Sequence, residues 1–131
     1  MVFFFFFACQ EGKTEDERTP FYIVCEKGHI EIVKLLLNDS KVGLVDINKA
    51  EKHGATPYWA ACYYGHQEIV ELLINDQRVD INKANQYNQS PFFIACQNGH
   101  QEIVKSLLSD KIVAFIEVVQ NKLRVIGNTF N

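Results

Sequence analysis

Residues 56–66 read Thr-Pro-Tyr-Trp-Ala-Ala-Cys-Tyr-Tyr-Gly-His, and the chain contains a related stretch on either side. The other copies are Thr-Pro-Phe-Tyr-Ile-Val-Cys-Glu-Lys-Gly-His in residues 19–29 and Ser-Pro-Phe-Phe-Ile-Ala-Cys-Gln-Asn-Gly-His in residues 90–100. Each copy leads into a second apolar stretch that opens with Glu-Ile-Val, and the copies begin 37 and 34 residues apart. Internal periods of about 20–50 residues are typical of repeat architectures. We therefore expect three similar units, one after another.

Each unit has the signals of two short helices. In the first copy, the Thr19 hydroxyl can cap a helix whose first residue is Pro20, and Gly28 is a typical helix end. Glu31 then provides a negative charge for the first turn of a second helix. That helix has an apolar stripe of Ile32, Val33 and Leu36. Two short helices cannot bury their apolar faces alone, whereas stacked units can.

This pattern resembles the ankyrin repeat, a unit of about 33 residues with Thr-Pro-Leu-His-x-Ala and a later Gly-His. The resemblance covers residues 19–110. It implies an all-α solenoid of stacked helix–turn–helix units joined by β-turn finger loops. The chain departs from the family at the Leu-His pair, where it has two aromatic residues in every copy. We expect aromatic packing to replace the hydrogen bonds that the family's histidine makes between helices.

The ends of the chain are irregular. Residues 5–12 align with residues 92–99, so the phenylalanine run is expected to be the first helix of a partial N-terminal repeat within residues 1–18. Three repeats of about 19–55, 56–89 and 90–111 follow, and a divergent capping segment occupies residues 112–131. Because consecutive phenylalanines at an open end expose apolar surface, self-association through this N-terminus is expected.

The capping segment has two interpretations. Its apolar residues recur at helical spacing, and Gly127 follows them as a stop signal, so we expect a helix. A pair of strands is the alternative, because the segment is rich in valine and isoleucine.

The charge and hydropathy of the chain argue against nucleic acids and membranes as partners. The chain has 131 residues, the length of a single domain, and a formal net charge of −3 without a cluster of Lys or Arg. A nucleic-acid or membrane-surface partner is therefore not expected. No apolar run reaches the roughly 18–20 residues of a membrane span.

The three Cys-x-x-x-His pairs are the strongest candidates for chemistry. Neighbouring helices in a stack lie about 8–10 Å apart, which is too far for two pairs to share a metal or for their cysteines to form disulfides. Cys25, Cys62 and Cys96 are therefore expected to be buried packing residues, with each histidine capping the turn into the second helix. A nucleophilic Cys–His pair would need an exposed, acidic thiol, and it would not be expected three times along one scaffold. We expect no catalytic residue, no metal and no cofactor, and four unpaired thiols that favour the cytoplasm, with the nucleus also compatible.

The positions that differ between copies indicate the function. The resemblance implies that the finger loops and the ends of the first helices form a concave face that binds another protein. The positions on this face are Lys52, His53, Tyr63, Tyr64, Gln86, Tyr87, Gln89, Gln97 and Asn98. Gly54 and Asn88 share one finger position, which predicts a turn with a left-handed residue.

We therefore expect a non-catalytic protein–protein interaction module. The alternative is a structural spacer, or a fragment of a larger multidomain ankyrin protein such as an enzyme, whose activity lies outside this chain. A metal-binding protein is the third interpretation.

Overall fold

A computed structural model describes residues 15–39 and 45–130 of the chain. Three helix pairs follow one another: α1 (Pro20–Lys27) and α2 (Ile30–Asp39) form unit 1, α3 (Pro57–Tyr64) and α4 (Gln67–Ile74) form unit 2, and α5 (Pro91–Gln97) and α6 (Gln101–Phe130) form unit 3. The described residues contain no strand, so the expected all-α class is confirmed. The partial N-terminal repeat and its phenylalanine run fall in residues 1–14, outside the described residues.

The first helix of every unit begins as its sequence predicts. The hydroxyl groups of Thr19, Thr56 and Ser90 each accept a hydrogen bond from a backbone N–H three residues later, at 3.1 Å. A proline follows each cap and needs no partner for its nitrogen. The backbone is left-handed at Gly28 and Gly65, with φ of 81° and 78°, where α1 and α3 end.

The units stack through their first helices, because α1 packs on α3 and α3 packs on α5. The second helices form a second layer, in which α2 contacts α4 and α4 contacts α6. The largest side chains buried between the layers include Phe21, Tyr58, Ile69, Leu73 and Ile103. The core is thus continuous along the stack, as repeat architectures require.

In two of the three Gly-His pairs, the histidine connects two units. The Nε2 atom of the His66 ring lies 2.7 Å from the carbonyl oxygen of Glu26 in unit 1, and Nε2 of His100 lies 2.7 Å from the carbonyl oxygen of Tyr63 in unit 2. The expectation that the histidine caps its own helix is wrong for His66, which occupies the N-cap of α4 but makes no side-chain capping bond. Its ring reaches back to the preceding unit, where the end of α1 offers a carbonyl without a partner inside the helix.

Two of the three glycines, Gly28 and Gly65, make room for the next unit's histidine ring. A Cβ atom on Gly28 would lie 2.7 Å from the His66 ring, and a Cβ atom on Gly65 would lie 2.7 Å from the His100 ring. Both positions therefore need glycine for the close approach as well as for the left-handed backbone.

The cysteines differ in burial. Cys25 and Cys62 are fully buried and unpaired, as expected. Burial raises the pKa of the Cys62 thiol to about 12 and raises the pKa of Cys25 further. The expectation for Cys96 is wrong, because this cysteine is exposed. The next unit covers Cys25 and Cys62, whereas no described unit follows unit 3.

The C-terminal segment is helical, not a pair of strands, but it is not a separate element. Helix α6 spans 30 residues, so the boundary expected at residue 112 falls inside it and Gly127 does not end it. A single glycine costs a helix only about 1 kcal/mol, which a continuous helix tolerates. Ile116, Val119, Leu123 and Ile126 are all exposed, so this stripe covers no other apolar surface in the described part of the chain. The repeat boundaries themselves stay a prediction.

Replacing Gly65 and Gly99 by alanine separates two roles of glycine, which are to adopt a left-handed backbone and to allow a histidine ring to approach. Both residues have a left-handed backbone, but a Cβ on Gly99 would meet nothing within 4 Å. We expect Gly99→Ala to lower the free energy of unfolding by about 1 kcal/mol through backbone strain alone. Gly65→Ala should cost about 2–3 kcal/mol, because the His100 ring must also move and lose its hydrogen bond. Urea denaturation in dilute solution measures both values, and equal losses would contradict the packing role.

Thiol labelling tests the difference in burial. At pH 8 in dilute solution, we expect a maleimide to modify Cys96 rapidly, while Cys25 and Cys62 react only when the stack opens, because burial keeps them neutral and inaccessible. Peptide mass spectrometry after a quench assigns the rate to each cysteine. Native labelling of Cys62 as fast as Cys96 would show that the stacking of unit 3 on unit 2 is wrong.

Candidate protein-binding surface

Two finger loops, residues 51–55 and 85–89, are built on one buried polar side chain each. In the first finger, Oε1 of Glu51 accepts hydrogen bonds from the backbone N–H groups of His53 and Ala55, both at 2.9 Å. In the second finger, Oδ1 of Asn85 accepts from the N–H groups of Tyr87 and Gln89, both at 3.0 Å. Each acceptor side chain thus holds its own turn from inside.

Left-handed residues complete the turns. Gly54 has φ 84° and Asn88 has φ 61°, which confirms the prediction for their shared finger position. Glu17 has φ 58° at the equivalent position of the loop before α1, which the sequence analysis did not single out. The supporting roles of Glu51 and Asn85 were also missed. The sequence feature that indicates these roles is that both fingers start with a side chain that can accept hydrogen bonds.

The fingers lie side by side and bond to each other. The backbone N–H of Gln86 donates to the carbonyl of His53 at 2.8 Å, and the Gln86 amide nitrogen lies 2.8 Å from Nδ1 of the His53 ring. The His53 ring stacks near Tyr87, with centroids 6.4 Å apart. Four predicted site residues, Lys52, His53, Gln86 and Tyr87, therefore form one exposed ridge.

An ion pair extends this ridge toward unit 1. The backbone N–H of Lys52 donates to the Asp16 carbonyl at 3.0 Å, and the Lys52 ammonium lies 2.9 Å from the Asp16 carboxylate. The hydrogen bond and opposite charge of Lys52 lower the pKa of Asp16, and the same contact raises the pKa of Lys52. Both groups are exposed to solvent, so the pair orients side chains more than it stabilises the fold.

The second group of site residues lies at the end of α3. The Tyr63 ring stacks on Trp59 with centroids 5.2 Å apart and meets the Tyr64 ring edge-on at 4.8 Å. Trp59 is largely buried, and its Nε1 donates to the Gln89 carbonyl at 3.0 Å. Trp59 therefore links the second finger to the tyrosines. Our expectation of aromatic packing at this position omitted this hydrogen bond between units.

The remaining predicted residues differ in their exposure to solvent and in the hydrogen bonds that they already make. Asn98 is exposed, and its amide donates to the Tyr63 carbonyl at 3.0 Å, which brings the ends of α3 and α5 together. Gln97 is exposed at the end of α5. Gln89 is half-buried, and its side-chain oxygen accepts from the Asn85 amide at 2.9 Å inside the finger. Gln89 thus supports the finger more than it presents a group to solvent.

A charged cluster lies at the unit 1 side of the surface. The guanidinium group of Arg18 lies 3.2 Å from the Glu26 carboxylate and 5.8 Å from the centroid of the Tyr22 ring. Tyr22 is buried at the position that Trp59 occupies in unit 2. Burial, followed by the nearby charges of Glu51 and Glu26, raises the pKa of Tyr22, so the ring stays neutral.

The exposed surface is not accompanied by a metal-ligand cluster among the described residues. No three His, Cys, Asp or Glu side chains of residues 15–39 and 45–130 come together to hold a metal ion. None of the helices in these ranges has the length and apolar content that crossing a lipid bilayer requires.

Comparison with known proteins identifies the repeat. A search of curated proteins found no match to the chain. The family model described as ankyrin repeats matches three copies, over residues 1–85 and 43–122. The match covers most of the chain, and the stacked helix pairs joined by finger loops agree with it. The chain therefore belongs to the ankyrin repeat family.

Proposed function

We propose that this chain binds a partner protein on the concave face formed by its fingers and the ends of its first helices. Ankyrin repeats are generally protein–protein interaction modules and are typically non-catalytic. The proposal assigns the contact to Lys52, His53, Tyr63, Tyr64, Gln86, Tyr87, Gln89, Gln97 and Asn98.

The observation that carries the proposal is the exposure of large aromatic rings on a hydrogen-bonded frame. Tyr64 is 48% exposed and Tyr87 is 65% exposed. Neighbouring rings hold both of them, Tyr63 beside Tyr64 and His53 beside Tyr87. Aromatic side chains are enriched among the residues that dominate binding energies, and a ring held in place loses little entropy on binding.

Polar groups around the rings favour a protein partner. Lys52, Gln86, Gln97 and Asn98 are exposed and offer hydrogen-bond donors and acceptors, whereas the chain as a whole is acidic at −3. A nucleic-acid partner would require a basic surface to neutralise phosphates. A partner protein with apolar anchors and a polar rim fits this surface best.

The buried cysteines and the bonded histidines argue against catalysis, and the unpaired thiols favour a reducing compartment. Cys25 and Cys62 are buried with raised pKa values, so neither supplies a thiolate near pH 7. The rings of His66 and His100 are bonded to backbone carbonyls. Cys25, Cys62 and Cys96 are unpaired, which suits the cytoplasm.

Quantitative affinity capture tests the binding face. Wild type, Tyr64→Ala with Tyr87→Ala, and two controls serve as bait for the same cell lysate, and mass spectrometry quantifies every captured protein. Truncating an aromatic anchor typically costs about 2 kcal/mol or more, so a true partner should be depleted at least about tenfold on the double variant.

The controls lie on the second helices. Leu35→Ala removes an apolar side chain that is 50% exposed, close to the exposure of Tyr64, and Glu71→Ala removes an exposed charge from α4. Both should capture the partner at the wild-type level, and helical circular dichroism should be unchanged in all variants. Equal depletion on the control baits would place the binding face elsewhere. Loss of helix in the tyrosine variant would show that these tyrosines belong to the core.

A further inference from the structure

Helix α6 continues far beyond the other second helices. Helices α2 and α4 have 10 and 8 residues, whereas α6 has 30. In its first part, Ile103 and Leu107 are buried in the stack. From residue 116 to residue 127, every side chain that the structure describes is exposed. No face of this outer half of α6 is therefore buried against the described residues.

A helix without a covered face is only marginally stable in water. Helical stability in proteins comes mainly from the packing of an apolar face, and isolated helices shorter than about 12–15 residues are marginal even with good helix formers. Residues 112–127 are rich in valine and isoleucine, which lose side-chain freedom in a helix, and they include Gly127. The outer half of α6 therefore needs a partner that packs against it.

The spacing of apolar residues along the outer half identifies the face for this partner. Six of them follow one another at alternating intervals of four and three residues, and we call them the α6 seam: Ile112, Ile116, Val119, Leu123, Ile126 and Phe130. This spacing is the heptad repeat of helices that wind around each other in a coiled coil. The four members whose side chains the structure describes are all exposed: Ile116, Val119, Leu123 and Ile126.

The seam faces away from the core of the stack. At 3.6 residues per turn, its mean direction lies about 160° around the helix from the side of Ile103 and Leu107, which are buried in the stack. Val118 lies on the same side as those two residues, within about 40°. The seam is therefore a separate apolar line, open to another molecule and not a continuation of the stack's own core.

A second copy of the same helix fits the seam. Its heptad spacing is the same, and the three charged residues between the ends of the seam, Glu117, Lys122 and Arg124, lie outside it and nearly cancel. A helix of 19 residues is about 28 Å long and about 10–12 Å wide, so a pair buries on the order of 1,000 Å², the least that a specific interface needs. The partial N-terminal repeat is expected before unit 1, at the opposite end of the stack from unit 3.

We propose that the α6 seam packs against the α6 seam of a second copy of this chain, as a coiled coil outside the stacks. The contact buries the exposed apolar line and supplies the packing that stabilises the outer half of α6. Because the buried area is small, we expect association in the micromolar range of concentration. The contact does not use the concave face and does not depend on the function proposed above.

Sedimentation of the full-length chain over a range of concentrations tests the seam. Wild type should pass from monomer to a discrete oligomer as its concentration rises. Val119→Lys should weaken association at least about tenfold, because pairing would bury a charge. The matched control is Val118→Lys, which makes the same change one residue earlier, at a side chain that is 52% exposed against 37% for Val119. It lies outside the seam and should associate like wild type.

Circular dichroism of the same samples tests whether pairing stabilises the helix. The helical signal per residue should rise with concentration in wild type and in Val118→Lys, and it should stay at its low-concentration value in Val119→Lys. Urea unfolding of dilute Val119→Lys should match that of dilute wild type, because the seam lies outside the core of the stack. This measurement separates a lost contact from a variant that fails to fold.

Disulfide formation locates the contact on the helix. If the paired helices are parallel, two copies of Val119→Cys should form a disulfide through residue 119 under mild oxidation. If they are antiparallel, Val119 lies opposite Leu123, and a mixture of Val119→Cys with Leu123→Cys should form a disulfide between residues 119 and 123. Peptide mass spectrometry distinguishes these products from disulfides of the exposed Cys96. Either product supports the proposal.

Three results would overturn the proposal. The first is a wild type that stays strictly monomeric through the micromolar range, and the second is an associating sample that yields neither disulfide. The third is association that persists in Val119→Lys but is lost in Phe93→Ser or in Phe4→Ser with Phe6→Ser. The contact would then lie on the exposed Phe93 side of unit 3 or on the N-terminal phenylalanine run.

Discussion

The structure depends on a hydrogen bond that crosses from one unit to the next, from a histidine ring to a carbonyl at the end of the preceding first helix. His66 and His100 make it over separations of 40 and 37 residues in the chain. The last carbonyls of a helix have no partner inside it, so the bond satisfies a group that would otherwise need water. Gly28 and Gly65 allow the ring to approach, because any Cβ at these positions would overlap it. Glycine and histidine are therefore required together, one unit apart.

This coupling sets the positions of everything that the stack presents to solvent. With the first helices held one behind the other, the fingers come close enough for Gln86 to bond to His53, and Trp59 reaches the Gln89 carbonyl. The exposed tyrosines are then attached to a framework whose polar groups are already paired. A surface built in this way can vary its most exposed side chains with little effect on the core, since Tyr64 and Tyr87 are not among the buried residues.

The same principle makes the ends of the stack different from its middle. In a repeat protein each unit contacts only its neighbours, so an internal unit is covered on two sides and an end unit on one. Unit 3 illustrates the consequence, because Phe93 and Cys96 are exposed. The residues at the same positions of units 1 and 2 are buried, namely Tyr22, Cys25, Trp59 and Cys62. The long helix α6 does not remove this difference. The side chains of Ile116, Leu123 and Ile126 are themselves exposed along it.

The amino-acid sequence was sufficient for most features that depend on residues close together in the chain, although the finger supports Glu51 and Asn85 were missed and Gly127 does not end a helix. The hydroxyl caps at Thr19, Thr56 and Ser90, the helix ends at Gly28 and Gly65, and the left-handed turns at Gly54 and Asn88 all involve contacts within a few positions. The exposed fingers and helix ends could be anticipated as well, because they are the places where the copies differ. Only the folded stack revealed that Cys96 is exposed, that His66 bonds to the preceding unit, and that Trp59 joins the second finger to α3. The cysteine, the glycine and the histidine recur in every copy of the motif, so their identities cannot report whether another unit covers them. Burial and long-range hydrogen bonds are set by the neighbouring unit, which lies outside the motif itself.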